Sequence, residues 1–201
     1  VTISRERPSR RTAISDAALE LAARGGNHAV THTGIDMHLG LAKGSTSYYF
    51  RTRHALVAAA IARLTERSRA DFAALFPAPP GDESRGPADL IANYLERLLT
   101  ARRTDVLARY ALATDAQIEP GTAEALAGCM FSVPAATGLM RDLGASHPDT
   151  AARDLVTLLE GVLFDRTHGT RAHASSGSVT VRVDEIRSTV GLWLDALCAR
   201  Q

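Results

Sequence analysis

The chain has 201 residues, 45% of them hydrophobic and 22% charged, an ordinary balance for a globular protein with room for one or two cores. No apolar run approaches the roughly 18 residues of a membrane span, and the basic start VTISRERPSRR leads into no apolar segment of the secretory kind, so a cytoplasmic protein with no membrane partner is expected. The formal net charge is only +1, yet residues 1–54 hold eight Lys and Arg against four Asp and Glu, while the remainder holds fifteen against eighteen, which suits one end to a polyanion.

Taken in chain order, the pattern is helical almost throughout. Ile14, Ala17, Ala18, Leu21 and Ala22 recur at helical spacing and predict a helix over 9–24, stopped by Gly25 and Gly26. Thr31 or Thr33 can cap a short second helix carrying Ile35, and Gly40 ends it near 39; a third short helix is expected over 42–49. Thr52 then caps a long fourth helix whose stripe is Leu56, Val57, Ala60, Ile61 and Leu64 and which stops before Pro77. PAPPGDESRGP, at 77–87, is the clearest loop of the first half. Further helices are expected over 88–102, 104–117, 121–144, 148–168 and 184–200, with Thr104, Thr122 and Asp184 as caps and Pro148 in a first turn. Inside 121–144, Pro134 lacks an amide and clashes with the carbonyl of Met130, so a kink or break is predicted there, widening a cavity with Gly128 and Gly138 nearby. Residues 169–183 read as a polar loop, with a brief Val179, Val181, Val183 alternation. The fold class is all-α, with about nine helices.

The second and third helices and the turn at Gly40 have the dimensions of a helix-turn-helix, which lays its second helix in the major groove of DNA. That role explains why AKGSTSYY, at 42–49, is poor in aliphatics. Gly44 permits close approach, Lys43 (the only lysine) supplies charge, Ser45 and Ser47 supply short polar groups, and Tyr48 and Tyr49 reach phosphates or thymine methyls. Thr31 and Thr33 sit where a capped helix end also offers amides to phosphate, and Ala42, Arg53 and His54 flank the same surface. Phe50 reads as a core plug. Arg5, Arg7, Arg10 and Arg11 form either a tail or an arm along the backbone or minor groove.

The block from the first helix through THTGIDMHLGLAKGSTSYYFRTRHALV, at 31–57, resembles the DNA-binding domain of TetR-type bacterial transcriptional regulators. Thr31, Ile35, Gly40, Gly44, Ser45, Tyr48, Phe50, Thr52 and Leu56 stand at the family's motif positions. Three residues depart from it: Asp36 replaces a small apolar residue facing the third helix, Thr46 a frequent aliphatic, and Ala42 a frequent Ser. An Asp there repels phosphate unless it is paired or points inward. The resemblance implies a DNA-binding domain over 1–54 and a helical ligand-binding and dimerisation domain over 55–201, joined by the long fourth helix. It also implies a homodimeric repressor on a palindromic operator of double-stranded DNA, released by a small-molecule effector of unknown identity. A helical small-molecule-binding protein of the same architecture, with weak or lost DNA binding, is the alternative.

The family places its pocket in the centre of the second domain, where Tyr94, Arg97, Leu98, Tyr110, Thr114, Cys129, Phe131 and Phe164 are candidate liners. For the dimer, the apolar stripes of the last two long helices are the candidates: Leu155, Leu159, Val162 and Leu163 with Ile186, Val190, Trp193, Leu194 and Leu197. The same stripes would equally serve to pack on the preceding helices. No catalytic or metal motif is present, and no cofactor is expected. GLAKGST, at 40–46, lacks the spacing of a phosphate loop. His168 and His173 near Asp165 lack a third fixed ligand, and Cys129 and Cys198 stand apart without metal-binding spacing, so the chain reads as no enzyme.

Overall fold

Ser9 accepts a hydrogen bond from the Thr12 amide and so starts α1, Arg10–Gly25, whose buried face is Ile14, Ala17, Ala18, Leu19 and Ala22. Leu21 is only half-buried; Leu19 takes the central place expected of it. Gly26, at φ 76°, closes the helix and leads into a 3-10 turn, Asn27–Ala29. α2 is His32–His38, capped by Thr31 and not Thr33: the Gly34 amide donates to Thr31 Oγ1 at 3.0 Å. α3, Ser45–Tyr49, begins three residues later than expected. The chain between the two helices needs left-handed backbone at Gly40 (φ 62°) and Gly44 (φ 90°), so 42–44 belong to the turn. α4 is Arg53–Leu75, with Thr52 Oγ1 accepting from the Ala55 amide at its start.

The computed structural model describes residues 9–75, 86–114, 120–173 and 182–199. Arg5, Arg7, most of the 77–87 loop, and Val179 and Val181 therefore lie outside the described residues. α5 is Pro87–Leu99, α6 Arg103–Ala113, α7 Pro120–Ala127, α8 Val133–Asp142, α9 Pro148–Thr167, α10 Thr170–His173 and α11 Val183–Cys198. No strand occurs among the described residues, and none of their helices is long and apolar enough to cross a membrane.

The eleven α-helices among the described residues exceed the expected nine for two reasons. Residues 121–144 form two helices, because 128–132 leave the helical path and Pro134 falls in the first turn of α8, where its missing amide is harmless. Ser132 caps that turn, accepting from the Ala135 amide. Second, the expected loop at 169–183 opens with α10, whose start is held by the Asp165 carboxylate through the Thr170 hydroxyl and the Arg171 amide and guanidinium. Three expected caps are displaced: Thr104 and Thr122 lie inside α6 and α7, and Asp184 in the first turn of α11.

Two units emerge, one of Val1–Arg67 with Thr104–Ala127, the other of Ser68–Arg103 with Gly128–Gln201. This division differs from a cut at 54/55. In the first unit α1 packs on α2 and α2 on α3. A chain of ion pairs ties α6 to them: Asp16 of α1 pairs with Arg63 and Arg67 of α4, each at 2.8 Å, and Arg67 reaches on to the buried Asp105 of α6, also at 2.8 Å. Arg63 also bonds Glu66, and these two carboxylates raise its pKa. In the second unit α11 packs on α5, and α8 on α9. Leu155, Leu159, Leu163, Ile186, Val190, Leu194 and Leu197 are all buried within this single chain, so the stripes expected at a dimer interface form the unit's own core. Val162 and Trp193 are half-buried. The apolar side chains that α9 and α11 leave outward are Phe164, 52% exposed, and Leu192, 70% exposed.

Candidate nucleic-acid interface and apolar cavity

A five-residue helix is far too short to hold itself in water, and α2 supplies what α3 lacks. Asp36 is buried and aims its carboxylate at the start of α3: Gly44 N donates to Oδ2 at 2.7 Å, while Thr46 N and Thr46 Oγ1 donate to Oδ1 at 2.8 and 2.7 Å. One turn earlier on the same face, His32 Nε2 lies 2.6 Å from the carbonyl of Phe50 at the other end of α3. A carbonyl only accepts, so that nitrogen carries the proton. An anion at the amide end and an N–H at the carbonyl end both complement the helix dipole. The Thr46 hydroxyl holds the Asp36 carboxyl below the ordinary carboxylate value of 3.8, with help from the two amides and His32 and against burial. Two of the three departures, Asp36 and Thr46, are thus one device: the carboxylate and hydroxyl face each other where apolar side chains would otherwise pack.

Arg11 closes the assembly from α1, donating to the Tyr49 carbonyl at 3.0 Å and lying 4.4 Å above the Phe50 ring, itself buried as expected. Arg53 donates to the Asn27 carbonyl at 2.7 Å and is half-buried. Both arginines are therefore occupied within the unit, which neither a free arm nor a simple contact list anticipates.

Thr31, Thr33, Ala42, Lys43, Gly44, Ser47, Tyr48 and His54 are exposed, and Ser45 and Tyr49 half-buried. Tyr48 is 83% exposed and meets Tyr49 edge-on at 5.2 Å, which makes Tyr48 the outer ring of the pair. The Ser45 hydroxyl gives its proton to the Ala42 carbonyl at 2.6 Å, so it serves the turn and offers only lone pairs outward. Two residues on the exposed side of α2 went unnoticed in the sequence. Met37 is 76% exposed, one turn after Thr33, and His38 pairs with Glu20 at 2.9 Å. The signal for Met37 was available: it follows the buried Ile35 and Asp36 and shares a helix face with exposed Thr33.

In the second unit, the break between α7 and α8 opens onto a cavity of about 420 Å³. Phe72 of α4, Tyr94 of α5 and Phe131 of the break line it, with aliphatic walls that include Leu139, Leu155 and Leu159. Tyr94 meets each phenylalanine edge-on at 6.1 Å, and its hydroxyl donates to the Met130 carbonyl at 2.7 Å, tying the break to α5. Burial is the main reason its pKa is raised to about 12, with Arg102 opposing. Nearby, Asp71 is held by Arg97 and by Arg102, 3.6 Å away, and Arg102 also bonds Ser68.

Of the eight expected pocket residues, Tyr94 and Phe131 line this cavity. Leu98 and Cys129 are buried outside its wall, and Arg97 is engaged by Asp71. Phe164 stacks on His168 at the surface. Tyr110 and Thr114 belong to the first unit. Leu155 and Leu159, expected at an interface, line the cavity instead, because the inner face of α9 turns toward α8. No group of three or more metal-ligating side chains occurs among the described residues.

A model of the tetracyclin repressor-like C-terminal domain matches residues 82–196. No curated protein matches the sequence. Among solved structures, a TetR-family member from Streptomyces coelicolor A3 is 25% identical, with 92% of this chain and 98% of that one covered and a TM-score of 0.70. The multidrug binding protein EbrR, in complex with malachite green, is also 25% identical over 92% and 98% of the two chains, with a TM-score of 0.65. A transcriptional regulator from Rhodococcus sp. Rha1 is 16% identical over 94% and 96%, with a TM-score of 0.72, a likeness of fold alone.

Proposed function

The chain belongs to the TetR family of transcriptional regulators, and we propose that it is a cytoplasmic repressor that binds a palindromic DNA operator as a homodimer and leaves it when a small molecule fills the cavity. The observation that carries the DNA-binding part is the outward surface of α3 and its preceding turn. Lys43, Ser47 and Tyr48 point to solvent, while Asp36, His32 and Arg11 grip the helix from behind. A rigid short helix with a cation, a hydroxyl and an amphipathic ring on its open face is suited to phosphates and base edges. Asp36 turns its charge inward onto three donors, which removes the objection that it would repel the backbone.

The dimer would form on the outward sides of α9 and α11, where Phe164 and Leu192 are exposed, and not through the buried stripes. Two-fold symmetry would then set two copies of α3 about 34 Å apart, or somewhat more, on successive major grooves. An effector role for the cavity is supported by its size, its apolar wall and the small molecules bound in relatives of this fold. α4 runs from the Thr52 cap to Phe72 in the cavity wall and is the natural carrier of the response. A ligand shifts such a two-state balance only by its differential affinity, and moving it from 1:99 to 99:1 takes about 5.5 kcal/mol.

Fluorescence anisotropy on the DNA upstream of the protein's own gene tests the reading. Wild-type binding should weaken steeply with salt; Lys43→Ala should weaken it and reduce the salt slope by about 1. Lys43→Ala with Tyr48→Ala should lose about tenfold or more in affinity. Undiminished binding by the double variant would remove α3 from the interface.

A further inference from the structure

We propose that the cavity takes a lipophilic cation, an apolar molecule with aromatic surface and a single positive charge. This inference rests on the cavity being the effector site and adds the chemistry of its occupant.

The walls set the apolar part. Phe72, Tyr94 and Phe131 present a connected set of rings, and about 420 Å³ falls within the range of roughly 300–1,000 Å³ typical of small-molecule sites. The charge follows from what lines it. Asp142 is the one formally charged residue among the described lining residues, and no Lys, Arg or His is among them. Asp142 ends α8, where the negative end of the helix dipole adds to its own charge, and neighbouring Arg141 does not line the cavity.

Helix starts are the usual alternative receptors for an anion, and the two that reach this cavity are poorly suited to one. α5 begins with Pro87, which has no amide proton, carries Asp89 in its first turn, and returns the Asp89 and Leu90 amides to the Gly86 carbonyl. α8 has Pro134 in its first turn, and its Ala135 and Ala136 amides are taken by the Ser132 hydroxyl and carbonyl. The Tyr94 hydroxyl already gives its proton to Met130. A carboxylate or phosphate entering here would be desolvated with no counter-charge, whereas a cation would meet aromatic rings and the exposed Asp142 carboxylate among the lining residues.

The test uses the full-length protein and a matched pair of ions, tetraphenylphosphonium and tetraphenylborate, with triphenylphosphine oxide as the neutral arm, by isothermal titration calorimetry. Phosphonium should bind about tenfold or more tightly than borate, and Asp142→Asn should weaken phosphonium about threefold while leaving the phosphine oxide unchanged. A Cβ on Gly138 meets nothing within 4 Å, so Gly138→Phe should fold and fill the cavity, abolishing site binding by any of the three. Borate binding as tightly as phosphonium, phosphine oxide binding best, or a preference untouched by Asp142→Asn overturns the cation assignment and leaves the effector cavity standing. Binding of none of the three, or binding indifferent to Gly138→Phe, overturns the assignment and takes the effector cavity with it.

Discussion

A carboxylate beneath a helix proposed to read DNA is tolerable only if its charge is fully engaged, and Asp36 meets that condition with three short hydrogen bonds to Gly44 and Thr46. Removing one partner from such a group is worse than removing both, because the survivor is left buried and unpaired. Thr46→Val should therefore cost about 1–3 kcal/mol of unfolding free energy. Asp36→Ala with Thr46→Val should lose less than the sum of the two single changes, which a double-mutant cycle by chemical denaturation measures. The sign of the pH effect follows from the lowered carboxyl pKa. The stabilisation is complete above the ordinary value of 3.8 and disappears as pH falls through the lower folded value. Thermal melts from pH 6 to pH 3 should show an acid loss of stability that Asp36→Asn lacks in part; equal acid loss in the two proteins would contradict the engaged carboxylate.

Element boundaries were legible wherever a local signal sets them. Thr31, Thr52 and Pro148 stand at helix starts because caps and first-turn prolines act over three or four residues. The effect of Pro134 was legible as a break, though not its length, because the sequence does not show that Cys129, Met130 and Phe131 stay buried without helical hydrogen bonds to one another. That stretch depends on the Ser132 cap and on the Tyr94 hydroxyl. Ser132→Ala should destabilise by about 1 kcal/mol, read as a shift in the denaturation midpoint. The stripes of α9 and α11 were equally plain, but period 3.6 shows only that a face is buried and is silent on what covers it. Seven of the nine residues expected between subunits are fully covered inside one chain. For Asp36 only the condition was legible, that it be paired or point inward, because its partners lie eight and ten residues away in sequence and are identified only when α3 is placed against it.

For the whole molecule, the assembly state is the property that the outward faces of α9 and α11 bear on. Leu192 is 70% exposed, and Ser188 and Ala196, one turn to either side, leave it room to reach a second helix. Leu192→Glu should convert the proposed dimer to monomer in sedimentation velocity and reduce any operator affinity while leaving the helical circular dichroism unchanged. A dimer that persists in this variant would move the interface elsewhere.

The Asp16–Arg67–Asp105 chain has a practical consequence for anyone who would re-engineer this regulator as a sensor. A chimaera that joins the N-terminal residues of one regulator to the remaining residues of another assumes that each module is an unbroken stretch of sequence. Here the unit that holds α1–α3 recruits Thr104–Ala127 from well beyond any such splice. A graft ending anywhere between 68 and 103 would carry Arg67 away from Asp105 and would work only where the recipient offers an acid in its place.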